Sequence, residues 1–195
     1  MIMELKKQLY DYAFDVAQRV MKSDFDMLAA ITKRLVQAKI DGNTVFTAGN
    51  GGSAATASHL CNDLVKGCRV NDRTGFRAVC LADSNAIVTC LANDFSYEDI
   101  FAIQLKTYAV KGDVLVTYSG SGHSPNILSA LKTAREAGVY TIGFSGRDGG
   151  KMKDLCDLLL IAPTDSMEQL EDMHLLYEHA MICSIRELLT NMPIP

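Results

Sequence analysis

Residues 44–53 read TVFTAGNGGS and residues 113–124 read DVLVTYSGSGHS, and these two stretches decide the fold. Each begins with a short apolar, β-branched run and ends in a loop of glycine and small polar residues. A helical pattern follows each loop, over 54–66 and over 126–137, and Pro125 stands where a helix commonly begins. The unit of strand, glycine loop and helix therefore occurs twice, which predicts an α/β protein.

The remaining patterns continue this alternation of strands and helices. Several candidate strands are apolar throughout, which predicts a parallel sheet with helices on both faces. The first 40 residues contain helical stripes and no strand, so we expect two helices that pack on a neighbouring subunit. The further predicted strands are 77–81, 140–144 and 158–161, and the further predicted helices are 3–40 (two helices, the second capped by Ser23 or Asp24), 87–92 and 167–190.

Length and charge limit the classes of protein to consider. A chain of 195 residues predicts a single domain (1–195), with N-terminal helices over 1–40 and an α/β core over 41–190. The net charge of −4 argues against a nucleic-acid-binding surface. No apolar run approaches the ~18 residues of a membrane span, and the charged segment Met1 to Tyr12 lacks a signal-peptide core. We therefore expect a cytoplasmic protein without a membrane partner.

The six cysteines are scattered and form no C-x-x-C pair. Most lie in apolar stretches, so we expect reduced, buried thiols that act as small hydrophobic residues.

The two glycine loops are the first candidate site. In an open α/β sheet, ligands bind beyond the carboxyl ends of the strands, where helix N-termini offer unpaired N–H groups. Ser119, Ser121 and Ser124 add hydroxyl donors to the second loop, which suits a phosphate monoester. Neither loop matches a P-loop, and the first lacks a full G-x-G-x-x-G. One loop alone would be equally well explained as a tight turn, but two such loops favour a binding site.

Four titratable residues form a second candidate site. His59 and Asp63 are four residues apart, so they share one face of a helix. Glu171 and His179 are eight residues apart on the last helix and share a face approximately. Taken singly, each residue is more simply a solvated or hydrogen-bonded side chain. If the two faces meet, two imidazoles and two carboxylates would suit Zn²⁺ or another divalent first-row metal.

Four segments, in this order and spacing, resemble the phosphoheptose isomerase branch of the SIS (sugar isomerase) family. They are AGNGGSAATASH (48–59), LANDFSYEDIF (91–101), YSGSGHSPNI (118–127) and GFSGRDGGKM (143–152), and the resemblance runs from about residue 41 to 189. It implies a three-layer α-β-α sandwich with a flavodoxin-like parallel sheet, and a homotetramer with sites at subunit contacts. It also implies the interconversion of sedoheptulose 7-phosphate and glycero-manno-heptose 7-phosphate, the first step toward heptose in surface glycans.

The resemblance also assigns roles to individual residues. It places Asp63 as the catalytic base and His179 as the catalytic acid, and it implies one Zn²⁺ per subunit. The implied metal ligands are His59, Asp63, Glu171 and His179. The implied phosphate contacts are Ser119, Gly120, Ser121 and Ser124, and the other implied substrate contacts are Asn50, Gly51, Gly52, Ser53, Asn93, Asp94 and Glu171.

Three positions depart from the usual pattern of the family. Gly120 stands where the typical member has Thr, Asp63 where it has Glu, and Glu171 where it has Gln. Two alternatives therefore stay open: another SIS isomerase acting on a hexose or pentose phosphate, and a non-catalytic sugar-phosphate-binding regulator resembling the DnaA initiator-associating protein. The presence of two histidines and a carboxylate at these positions favours an enzyme.

Overall fold

The computed structural model describes residues 1–71 and 73–192. Within these residues, the strands are β1 (Thr44–Gly49), β2 (Arg77–Cys80), β3 (Val114–Ser119), β4 (Tyr140–Ser145) and β5 (Leu158–Ile161). All neighbouring strands pair in parallel, in the order β2-β1-β3-β4-β5. The order reverses between β1 and β3, so the sheet has the flavodoxin-like topology that the resemblance implies.

Helices cover both faces of this sheet. They are α1 (Ile2–Val20), α2 (Phe25–Ile40), α3 (Gly52–Asn62), α4 (Asn85–Asp94), α5 (Ala102–Tyr108), α6 (Pro125–Glu136) and α7 (Met167–Asn191). Apolar side chains of α2, α3 and α7 pack on one face, and those of α4, α5 and α6 pack on the other. Val45 belongs to the first core and Phe46 to the second, as the alternation of a strand requires. The predicted α-β-α sandwich is confirmed.

Most predicted elements lie within two residues of their observed bounds. Asp24, one of the two predicted caps, accepts a hydrogen bond from the backbone N–H of Met27 at 2.8 Å. The single helix predicted over 54–66 is wrong in one respect, because α3 ends at Asn62 and a π-helical turn (Asp63–Gly67) follows. Helix α5 was not predicted, since its seven residues are too few for a clear periodic pattern.

The expectation of buried thiols holds for only part of the set. Cys68 and Cys80 are buried and Cys61 and Cys156 are partly buried, whereas Cys90 and Cys183 are exposed. The two exposed cysteines lie on solvent-facing turns of α4 and α7, where apolar neighbours in sequence do not imply burial.

Among the described residues, no helix has both the length and the apolar character needed to cross a membrane. The division of the chain into one domain with helices over 1–40 and a core over 41–190 stays a prediction. Residues 193–195 of that domain lie outside the described residues.

Candidate active site

A pocket of ≈ 320 Å³ opens beyond the carboxyl ends of β1 and β3, the two strands at which the order reverses. This is the place where an open parallel sheet commonly binds its ligand. We call it the serine pocket. It is lined by Asn50, Gly51, Gly52, Ser53, Tyr118, Ser119, Gly120, Ser121, Ser124, Met167 and Glu171. All four predicted phosphate contacts line it, as do the four predicted contacts of the first loop.

The second loop turns its hydroxyl groups into this pocket. Ser119 Oγ lies 3.1 Å from Ser124 Oγ, and Ser121 Oγ accepts a hydrogen bond from the backbone N–H of His123 at 3.2 Å. Ser124 is the N-cap of α6, yet its side chain accepts no capping hydrogen bond within that helix. Its hydroxyl is therefore available to an anion at the positive end of the helix dipole.

The first loop is held tightly by backbone packing and by an amide pair. A Cβ atom on Gly49 would overlap the backbone of Ser53, so this position requires glycine. Asn50 and Asn126 exchange two side-chain hydrogen bonds, of 2.9 and 2.8 Å. The hydroxyl of Tyr97 donates a third to Asn50 Oδ1, at 3.0 Å. These contacts fix the position of Asn50 at the rim of the serine pocket.

Glu171 lies in the serine pocket, with its carboxylate packed directly on Gly52, where a Cβ atom would collide with it. Gly52 is the first residue of α3, so a negative charge here is favoured by the helix dipole. This position agrees with the predicted substrate contact.

The structure brings together three of the four residues of the second candidate site. His59 Nε2 lies 3.0 Å from His179 Nε2 and 3.6 Å from Asp63 Oδ2. One donor atom from each residue lies within 4.8 Å of the others. We call these three residues the histidine cluster. His59 comes from α3, His179 from α7, and Asp63 begins the π-helical turn, a type of irregularity that is frequent at functional sites.

The structure does not bring the fourth predicted ligand, Glu171, into the histidine cluster. The prediction relied on eight residues being close to two full turns, which gives a common face but also separates the two Cα atoms by about 12 Å along the helix. Asn93 and Asp94 likewise lie away from the serine pocket. They are exposed at the end of α4, where Asn93 Nδ2 donates to Asp94 Oδ1 at 2.8 Å.

Sequence reasoning missed Glu178, which lies beside the histidine cluster. Its side chain has no exposed surface, and its Oε1 lies 4.0 Å from His59 Nε2. Neither carboxylate oxygen has a hydrogen-bond partner within the described residues. Burial, followed by the charge of Asp63, raises the pKa of Glu178 to about 8. The sequence held a signal, because Glu178 lies four residues after His174 and three before Met181 on the buried face of α7.

The other two histidines neither line the serine pocket nor belong to the histidine cluster. His174 is buried, and its Nε2 lies 3.2 Å from the carbonyl oxygen of Ser145, which identifies Nε2 as the protonated nitrogen. Burial lowers the pKa of His174 to about 4. His123 is exposed in the second loop.

The serine pocket and the histidine cluster lie along the same pair of helices. Glu171 of α7 contacts Gly52 of α3, and His179 contacts His59 further along both helices. The second contact follows the first by seven residues in α3 and eight in α7, so the helices run side by side in the same direction. At 1.5 Å per residue, the two sites are about 11 Å apart along the helix axes.

Comparisons with known proteins identify the relatives of this chain. The sequence profile of the SIS domain family matches residues 8–146. A phosphoheptose isomerase of Aliarcobacter butzleri is 39% identical over 167 residues, covering 86% of this chain and 87% of the relative. One of Paramagnetospirillum magneticum is 45% identical over 153 residues, covering 76% and 79%. The solved structure of the phosphoheptose isomerase of Neisseria gonorrhoeae is similar with a TM-score of 0.87 and 27% identity, covering 96% of this chain and 100% of that one.

Proposed function

Since the chain belongs to the phosphoheptose isomerase branch of the SIS domain family, we propose that it interconverts sedoheptulose 7-phosphate and glycero-manno-heptose 7-phosphate. The observation that carries this proposal is that a hydroxyl-lined pocket and a cluster of acid and base groups lie along the same pair of helices, α3 and α7. The pocket suits the phosphate, and the cluster suits the proton transfers at the other end of the sugar.

The separation of the two sites supports a seven-carbon sugar as the substrate. With C–C bonds of about 1.5 Å, an extended seven-carbon chain and its phosphate ester span about 10 Å. We infer that a seven-carbon sugar whose phosphate is held by Ser119, Ser121 and Ser124 extends C1 and C2 toward His59 and His179. A pentose phosphate is shorter by two carbons and would leave the reacting carbons short of the cluster.

The histidine cluster supplies the groups that the isomerisation needs. The reaction removes a proton from C1 and returns one to C2, while the C2 oxygen gains a proton and the C1 hydroxyl loses one. We assign the C–H proton to Asp63 as the base and the oxygen protons to His179 as the acid. Because His59 Nε2 and His179 Nε2 are 3.0 Å apart, one imidazole donates to the other when no cation lies between them.

The donor set of the cluster also fits a divalent cation. Two imidazole nitrogens and a carboxylate are ligands typical of zinc, and one donor atom from each lies within 4.8 Å of the others. We propose that His59, Asp63 and His179 hold one Zn²⁺ ion per subunit. A bound divalent cation would polarise the substrate carbonyl.

The proposed function is tested by adding sedoheptulose 7-phosphate to the purified protein and following aldose formation by NMR. Parallel reactions contain a hexulose 6-phosphate and a pentulose 5-phosphate. We expect the heptulose phosphate to react fastest. A preference for a shorter sugar would identify another SIS isomerase, and binding without turnover would identify a regulator.

A homotetramer is part of the same proposal. Leu5, Leu9, Tyr10 and Phe14 of α1 are each more than half exposed, and a second copy of this chain would cover them. Such a contact would also explain the predicted roles of Asn93 and Asp94, which lie outside the serine pocket of their own chain. Light scattering should show a tetramer at micromolar concentration, and a monomer would contradict this assembly. The cytoplasmic location stays a prediction.

A further inference from the structure

The serine pocket lies at two helix N-termini, and its charged residue is negative. Helix α3 begins at Gly52 and α6 at Pro125, and residues from both helix starts line the pocket. Among the described residues that line it, Glu171 carries a charge, and no lysine, arginine or histidine is present. An anion in this pocket is therefore held by hydroxyl and N–H groups, with no cationic side chain to balance a second negative charge.

The carboxylate of Glu171 occupies the N-terminal end of α3. A Cβ atom on Gly52, the first residue of this helix, would collide with both carboxylate oxygens. The N-cap, Gly51, has no side chain that could accept a hydrogen bond from the first turn, and the N–H groups of a first turn have no partner within their helix. Glu171 therefore takes the place that the helix dipole would otherwise offer to a bound anion.

The N-terminal end of α6 is open by contrast. Its N-cap, Ser124, makes no capping hydrogen bond, and Ser124 Oγ lies 3.1 Å from Ser119 Oγ. An apolar side chain borders this loop, because a Cβ atom on Gly120 would lie 3.0 Å from Sδ of Met167. A second anionic group beside a phosphate in this loop would thus have to turn to the N–H groups of α3, where Glu171 already lies.

We propose that Glu171 is a specificity-determining residue that limits the serine pocket to one phosphate group. Its charge excludes ligands in which a second phosphate is joined to the first, namely pyrophosphate and sugars linked to a nucleotide through a pyrophosphate. The repulsion between like charges is strong in a partly enclosed pocket, because little water lies between them. The inference rests on the phosphate site of the proposed isomerase and adds substrate selection to the predicted contact at Glu171.

The test is the affinity for inorganic phosphate and for pyrophosphate, measured by calorimetry on the wild type and on Glu171→Gln. A chelator in the buffer keeps cations out of the histidine cluster, so neither anion binds there through a metal. The wild type should bind pyrophosphate no more tightly than phosphate. Glutamine has the size of glutamate without its charge, so Glu171→Gln should raise the ratio of pyrophosphate affinity to phosphate affinity by at least about tenfold.

Three results of this measurement would overturn the proposal. The first is an equal ratio in the wild type and Glu171→Gln. The second is a wild type that already binds pyrophosphate more tightly than phosphate, since its carboxylate would then exclude nothing. The third is a wild type that binds neither anion, because the phosphate site itself would then be absent.

Two further substitutions are controls for the place and the range of the effect. Glu168→Gln removes an exposed carboxylate of α7 that does not line the pocket, and its ratio should stay within about twofold of wild type because exposed charges are screened. Ser124→Ala should weaken the binding of both anions, alone and combined with Glu171→Gln. If it did not, the anions would bind outside the serine pocket and the proposal would fail.

Glu171→Asp and Glu171→Ala separate charge from size. Both shorten the side chain, but only alanine also removes the charge. The ratio should therefore rise in Glu171→Ala and stay near the wild-type value in Glu171→Asp. An equal rise in both would show that glutamate excludes the second phosphate by its size, which would overturn the electrostatic argument. This pair also keeps the test decisive if Glu171→Gln does not fold.

The NMR assay with sedoheptulose 7-phosphate distinguishes this inference from the proposed function. An active wild-type enzyme whose preference between the two anions does not depend on Glu171 would overturn the inference and leave the isomerase standing. A protein whose preference depends on Glu171, but which turns over none of the ketose phosphates, would do the reverse.

Discussion

The serine pocket and the histidine cluster lie on the same two helices but are built in different ways. The serine pocket is formed by backbone loops at the carboxyl ends of β1 and β3, where glycines and helix N-termini define its shape. The histidine cluster is formed by side chains from α3 and α7 that meet across the gap between the helices. With the roles proposed for the two regions, substitutions should separate binding from chemistry, because the two regions consist of different residues about 11 Å apart along the helices.

The strongest way to separate the two regions is to remove the proposed acid. His179→Ala should reduce kcat by about 10²–10⁴-fold, the usual contribution of a positioned acid or base. His179 is exposed and does not line the serine pocket, so calorimetry should show little change in affinity for sedoheptulose 7-phosphate. A parallel loss of affinity and rate would contradict the separation of binding from chemistry.

The same difference explains how well each region could be predicted from the sequence. The serine pocket depends on local order along the chain, and its glycines, serines and flanking strands were all recognisable in the sequence. The histidine cluster depends on how two distant helices pack. Spacing correctly placed Asp63 beside His59, but it did not show that Glu171 lies away from His179.

Glu178 did not enter the sequence analysis, although its spacing from His174 and Met181 puts it on their face of α7. The packing of α7 shows that this face is buried and that the carboxylate is fully enclosed in it. Likewise, the contacts of Tyr97 and Asn126 with Asn50 join segments that are far apart in sequence. Such contacts depend on the tertiary fold, and no local pattern specifies them.

A second prediction concerns His174, which is buried in the core, whereas the two histidines of the cluster are exposed. Burial lowers the pKa of His174 from 6.5 to about 4, so the unfolded chain binds more protons than the folded protein between these values. The contribution of His174 is complete above pH 6.5 and is lost as the pH falls toward 4. We expect a loss of about 3 kcal/mol in the free energy of unfolding.

Urea denaturation of wild type and His174→Gln at pH 7, 5.5 and 4 measures this effect. Glutamine keeps a donor for the carbonyl of Ser145 but does not titrate in this range. The wild type should therefore lose more stability than the variant as the pH falls. Equal acid sensitivity of the two proteins would contradict the assignment of a neutral, buried imidazole.

A third prediction tests the serine pocket itself. Replacing Ser119 or Ser124 by alanine should weaken sugar-phosphate binding by about 1–3 kcal/mol, the cost of losing a hydrogen bond to a charged group. The metal affinity of the histidine cluster should not change. Calorimetry with sedoheptulose 7-phosphate checks the first statement, and chelator competition checks the second. Unchanged sugar affinity in both variants would show that the second loop is only a tight turn.

The smallest effect is expected at the rim of the serine pocket. Tyr97→Phe removes one of three hydrogen bonds to the side chain of Asn50, and the tyrosine itself is exposed. Asn126 still exchanges two hydrogen bonds with Asn50, so the amide keeps its orientation and the loop keeps its shape. Losing a single exposed hydrogen bond costs about 0.5 kcal/mol, which corresponds to a rise in KM of about twofold.

The rate constant kcat should stay unchanged in Tyr97→Phe, because Tyr97 belongs to the binding region and not to the histidine cluster. Asn126→Ala is the matched comparison. It removes both amide contacts and leaves only the hydroxyl of Tyr97 on Asn50, so its KM should rise further than that of Tyr97→Phe. Steady-state kinetics on both variants therefore show whether Tyr97 or Asn126 contributes more to holding Asn50 in position. A larger KM effect from the tyrosine would mean that Tyr97 contacts the substrate directly.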